Sequence, residues 1–168
     1  MNKLKQVIEY AMRMENDAKE FYTYNKDRVK SPEIKAQFEN LAEMEKNHYA
    51  ILSIVYDRLN VNPPPVTISW VVDDVAKEIN PPILADNYEL IAKEDAISDL
   101  SVVRMAWLME SDFALFYKSA AEAVEDGEAK SALLELSTWE EQHREMFGKQ
   151  YENMLKSNWS EITSIIFR

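Results

Sequence analysis

Residues 41–48 read LAEMEKNH, and residues 136–143 read LSTWEEQH. Each run sets a glutamate three positions before a histidine, Glu45-x-x-His48 and Glu140-x-x-His143, and the chain has no other histidine. On an α-helix, positions i and i+3 are neighbours with Cβ atoms about 5–6 Å apart, so both heads can turn to one ion. The surrounding residues supply the helical stripe. Ile34, Phe38, Leu41, Glu45, His48, Leu52, Val55 and Leu59 recur in steps of three and four, as do Ala129, Leu133, Leu136, Glu140, His143 and Phe147, with Met154 two turns further on.

Two further stripes precede these. Leu4, Ile8, Ala11, Glu15, Ala18 and Tyr22 form the first, and Val103, Ala106, Glu110, Phe113, Tyr117, Ala120 and Val124 the third. Each of the four predicted helices thus carries one glutamate on its apolar face. The pattern is an internal repeat: Glu15, Phe21, Tyr22, Leu41, Glu45 and His48 recur 95 residues later as Glu110, Phe116, Tyr117, Leu136, Glu140 and His143. Ser31-Pro32 and Asp126-Gly127 punctuate the chain between helices, each offering a capping side chain to the helix that follows. Asn60-Val61-Asn62-Pro63-Pro64-Pro65 is a stronger break. Trp70, Val71, Val75 and Ile79 predict a short amphipathic helix before Pro81-Pro82, and Tyr88 to Ile91 another turn or two. The expectation is one all-α domain over 1–168. It has a hairpin over about 2–59, a long crossover over 60–94, a second hairpin over about 95–156 and a short helical tail over 157–168.

Composition agrees. With 46% hydrophobic and 29% charged residues the chain is neither disordered nor collagen-like, and two glycines in 168 residues suit long helices. No cysteine occurs, which excludes disulfides, thiolate metal sites and cysteine nucleophiles. A net charge of −11 repels phosphate backbones and anionic lipid, so neither nucleic acid nor a membrane is expected as a partner. The first dozen residues contain no secretory apolar core, and a cytoplasmic protein is expected.

Geometry brings the four glutamates together. Glu15 and Glu45 are centred on residue 30, in the first predicted turn, and Glu110 and Glu140 on residue 125, in the second. Over fifteen residues a helix climbs about 22 Å and its antiparallel partner descends as far, so each pair sits level within its hairpin. Packing the hairpins face to face gathers four carboxylates and two imidazoles at one depth. Four carboxylates repel one another in an apolar interior, where burying even one costs several kcal/mol. Two divalent cations cancel them. Oxygen-rich ligation with two imidazoles suits iron or manganese and allows zinc, while calcium and magnesium are disfavoured. Taken singly, each of these residues is more often a satisfied core polar group; in register, they point to metal. Tyr22 and Tyr117 lie two turns beyond their glutamates and are candidates to hydrogen-bond ligand carboxylates, with aromatic packing as the alternative. Trp107 and Trp139 read as packing.

The paired runs MENDAKEFY with LAEMEKNH, and MESDFALFY with LSTWEEQH, resemble the rubrerythrin-like group of the ferritin-like superfamily over about residues 4–57 and 97–155. The resemblance implies a ferritin-like four-helix bundle holding two iron ions, with Glu45 and Glu140 bridging and Glu15, Glu110, His48 and His143 as terminal ligands. It also implies reduction of peroxide or oxygen, or alternatively ferroxidase activity with iron storage or buffering. Full-length rubrerythrins append a rubredoxin-like four-cysteine domain; this sequence has no cysteine, so the expected electron source is an external, rubredoxin-like donor. They also place an extra glutamate one turn after the third-helix ligand, where this chain has Phe113. Four glutamates and two histidines make the site resemble a bacterioferritin ferroxidase centre, although Lys46 stands where a haem-binding methionine follows in that family. The apolar tail with Trp159 and Ile165 is expected to cover the bundle or a second subunit, the latter making a homodimer. A metal-free helical interaction module is the remaining reading.

Overall fold

Helix boundaries fall where the capping chemistry sets them. The computed structural model describes residues 3–60 and 93–166, which form four α-helices: α1 (Lys3–Asn25), α2 (Pro32–Asn60), α3 (Lys93–Ala123) and α4 (Gly127–Ile166). Ser31 Oγ accepts from the amide of Ile34 at 3.3 Å, and Pro32 occupies the first helical position, where its missing N–H leaves nothing unsatisfied. At the start of α4, Asp126 Oδ1 accepts from the amide of Ala129 at 2.9 Å. The helical tail expected after residue 156 continues α4 without a break, as its last turns. The crossover helices expected around Trp70 to Ile79 and Tyr88 to Ile91 lie outside the described residues.

Cross-helix contacts fix the directions. Tyr22 of α1, Phe38 of α2 and Phe147 of α4 pack as one ring layer with centroids 5.2–6.1 Å apart. Phe38 precedes Glu45 by seven residues, whereas Tyr22 and Phe147 follow Glu15 and Glu140 by seven, so α2 runs opposite to both α1 and α4. Asp99, near the start of α3, meets the α1–α2 turn, its carboxylate accepting from the amides of Lys30 (3.0 Å) and Ser31 (2.8 Å). At the other end, Arg58 late in α2 bonds Glu128 at the start of α4 at 2.8 Å. The two hairpin turns therefore sit at opposite ends of the bundle, and the chain leaves α2 at one end and enters α3 at the other. Within the described residues no helix is long and apolar enough to cross a membrane.

The core follows the predicted stripes: Ile8, Ala11, Ala18, Ile34, Phe38, Leu52, Val103, Ala106, Leu133, Leu136 and Phe147 are buried. Gly148, inside α4, is explained by its neighbour. A Cβ there would lie 3.2 Å from Nε1 of Trp107, whose ring stacks on Tyr151. A mid-helix glycine costs about 1 kcal/mol relative to alanine, and here it makes room for an indole.

Candidate metal centre

Midway along the four helices, Glu15, Glu45, Glu110 and Glu140 are all 0% exposed, as is His48, and His143 is nearly so. Each helix delivers its glutamate inward because the residue occupies a stripe position flanked by apolar neighbours. Nδ1 of His48 lies 2.9 Å from Glu140 Oε1, 3.0 Å from Glu45 Oε2 and 3.4 Å from Glu15 Oε2. On the other side, Nδ1 of His143 lies 3.1 Å from Glu140 Oε2, 3.5 Å from Glu110 Oε2 and 3.8 Å from Glu45 Oε1. The two imidazoles face each other with centroids 6.0 Å apart, and Trp139 stacks on His48 at 5.1 Å.

One imidazole N–H can satisfy one carboxylate oxygen, not three. Glu15 Oε2, Glu45 Oε1, Glu110 Oε2 and Glu140 Oε1 are buried without a hydrogen-bond partner. Such crowding is what a shared cation organises: donors each about 2.1 Å from one ion lie roughly 3.0–3.4 Å from one another. Two sets of donors approach that spacing, with ligand atoms within 4.8 Å of one another: Glu15, Glu45, His48 and Glu140, and Glu45, Glu110, Glu140 and His143. Glu45 and Glu140 belong to both.

The tyrosines add a feature that the repeat concealed. Tyr22 donates to Glu110 Oε1 and Tyr117 donates to Glu15 Oε1, so each phenol crosses to the other hairpin rather than to its own glutamate. Each anchors one carboxylate oxygen and leaves Oε2 free. Sequence spacing puts Tyr22 near Glu15 along the helix, and only the packing of α1 against α3 reveals the exchange. Phe113 is buried in the apolar core one turn after Glu110, and Trp107 packs on Tyr151.

Electrostatics records the strain of this arrangement when no cation shares it. Burial, then the charge of Glu140, pushes the Glu110 carboxyl up to about 8, and the same two causes raise Glu45 well above the ordinary range. Burial also works against ionised Glu140, but the His48 and His143 imidazoles outweigh it and hold that carboxyl far below the usual range. Burial disfavours the charged imidazoles too, yet the surrounding carboxylates raise both. Tyr22 and Tyr117 are raised by burial and by nearby carboxylates, so each keeps its hydroxyl proton.

The sequence model of one family, Rubrerythrin, matches residues 6–151. The chain belongs to the rubrerythrin family. Membership implies a metal-binding di-iron site, and the structure has a buried carboxylate–histidine cluster. Among solved structures, a hypothetical protein from Pyrococcus furiosus is similar in fold, with a TM-score of 0.66 and 24% identity. The alignment covers 92% of this chain and 91% of that one. No curated protein matches. The ferritin-like four-helix bundle implied by the resemblance is the observed fold.

Proposed function

We propose that this rubrerythrin-family protein is a di-iron carboxylate oxidoreductase that reduces peroxide or oxygen with electrons from an external donor. The overlap of the two donor sets at Glu45 and Glu140 carries the reading. Glu45 and Glu140, common to both donor sets, would be shared by the two ions, with Glu15 and His48 holding one and Glu110 and His143 the other. Two iron ions, when bound, supply electrons and Lewis acidity for cleaving an O–O bond. The protein holds the ligands in place beforehand. Tyr22 and Tyr117 pin Oε1 of Glu110 and Glu15, so the second oxygen of each keeps its aim without a conformational search. The apolar layers around the cluster exclude bulk water. For peroxide the balance is one H2O2, two electrons and two protons giving two waters, with the protons coming from solvent.

Anaerobic loading with Fe(II), followed by rapid mixing with peroxide and separately with air-saturated buffer, tests this. Growth of near-ultraviolet charge-transfer absorption and steady turnover with an added reductant are expected. No turnover with any reductant would sink the enzymatic reading. Phe113, which puts an apolar ring one turn after Glu110, favours ferroxidase activity with iron storage or buffering as the second reading. That alternative requires iron uptake well above two per chain, so uptake stopping at two rejects storage.

A further inference from the structure

The 95-residue repeat that matches the two halves around the cluster fails in one respect. Asn25, Gln37, Asp99 and Gln150 are buried, and their repeat partners are Ala120, Ala132, Leu4 and Val55. Because the hairpins run in opposite senses, all four polar residues fall at the end of the bundle with the α1–α2 turn. Their apolar counterparts fall at the other end. Two of the four are accounted for: Asp99 accepts from the turn amides, and Asn25 donates to Phe21 O of its own helix. The glutamines are not. Gln150 is 1% exposed with neither Oε1 nor Nε2 bonded. Gln37 is 2% exposed, its amide donating to Met146 Sδ at 3.2 Å and its Oε1 unpartnered. Gln37 lies eight residues before Glu45 and Gln150 ten after Glu140, which puts both about 12–15 Å from the cluster on the same side. Met146, which Gln37 touches, is one helical turn before Gln150.

Buried amides with several open hydrogen-bonding positions bind water, and a polar layer of this kind is also cheap to open. Separating the helices there gives the amides bulk water to bond. At the other end, separation exposes Val55, Ala132 and Ala120 and gains nothing in return. Every glutamate of the cluster is sealed from solvent, so any ion or oxidant reaching it requires an opening. We infer that the end of the bundle carrying Gln37 and Gln150 holds internal water, and that the bundle opens there to admit metal ions and small oxidants. The ring layer of Tyr22, Phe38 and Phe147 is then the inner gate between this hydrated end and the carboxylates. The entry route rests on the metal-binding reading above; the hydrated layer does not.

Native-state hydrogen exchange on metal-free protein tests the layer without any substitution. Amides of 36–40 and 147–151 exchange faster than those of their repeat partners, 131–135 and 52–56. Equal rates at the two ends overturn the inference. The entry route is tested with Gln37→Ala/Gln150→Val, which installs the residues of the opposite end. Zn(II) uptake, followed by competition with a colorimetric zinc indicator, slows about tenfold in this variant with its final stoichiometry unchanged, and exchange in 147–151 slows with it. Uptake at the wild-type rate rejects the route. Failure of the wild-type protein to bind Zn(II) at all rejects the metal-binding reading instead, and leaves the exchange result to decide the hydrated layer. Should the variant not fold, the wild-type exchange asymmetry still stands or falls by itself.

Discussion

Glu45 and Glu140 differ from the other four candidate ligands in serving both donor sets, and this makes their substitution distinctive. Glu45→Ala or Glu140→Ala is expected to abolish binding of both metals. Glu15→Ala should spare the set built on His143, lowering the content by about one ion per chain. Elemental analysis of the purified variants distinguishes the two outcomes. The tyrosines act one step removed. Tyr22→Phe leaves Glu110 Oε1 buried without its donor, and Tyr117→Phe does the same to Glu15. A loss of about 10–100-fold in metal affinity is expected for each, measured by competition titration. The glutamates and histidines were legible in the sequence because a charged residue on an apolar stripe is conspicuous and the repeat doubled it. The crosswise pairing of the tyrosines was not, since it depends on which helix faces which.

At the scale of elements, the α1–α2 turn and the α3–α4 turn are held by different means. Asp126 caps α4 from an exposed position, and Asp126→Ala is expected to cost about 1 kcal/mol. Asp99 is fully buried and ties the backbone of the first turn to the second hairpin. Asp99→Ala leaves the amides of Lys30 and Ser31 without their acceptor, and about 3 kcal/mol of stability is expected to go with it. Urea unfolding of both variants gives the comparison. The capping roles of Ser31 and Asp126 follow from local spacing and were readable in advance. The role of Asp99 spans 69 residues of sequence to Lys30, and its only local trace is an acid in a stretch of weak helical pattern.

For the whole molecule, folding and metal content are linked through the protons of the cluster. Without metal, Glu110 titrates near 8 in the folded state against about 4.5 when unfolded, and Glu45 is raised in the same sense. The folded protein then binds more protons than the unfolded chain between those values, so stability falls as pH rises from about 5 to 8. His48 and His143, also raised, contribute stability below their unfolded values near 6.5 and lose it as pH climbs through the folded ones. Glu140 works in the opposite direction, and its contribution is lost progressively as pH falls below about 4.5. Thermal unfolding of chelator-treated protein is therefore expected to show Tm decreasing from pH 5 to 8. Metal-loaded protein should show a higher Tm at pH 8 and a flat or reversed trend, because bound cations displace those protons. A Tm unaffected by chelation at pH 8 would contradict the electrostatic account of the site.

The sequence by itself determined the helices, their punctuation and the six metal-binding candidates, because all of these are periodic or local: stripe spacing, capping side chains and a repeat are properties of neighbours along one strand of chain. What only the tertiary structure decided was relational. The exchange of tyrosines between hairpins and the gathering of Gln37, Asn25, Asp99 and Gln150 at one end both depend on helix directions. A one-dimensional pattern records which face of a helix is buried, but not which helix lies against it.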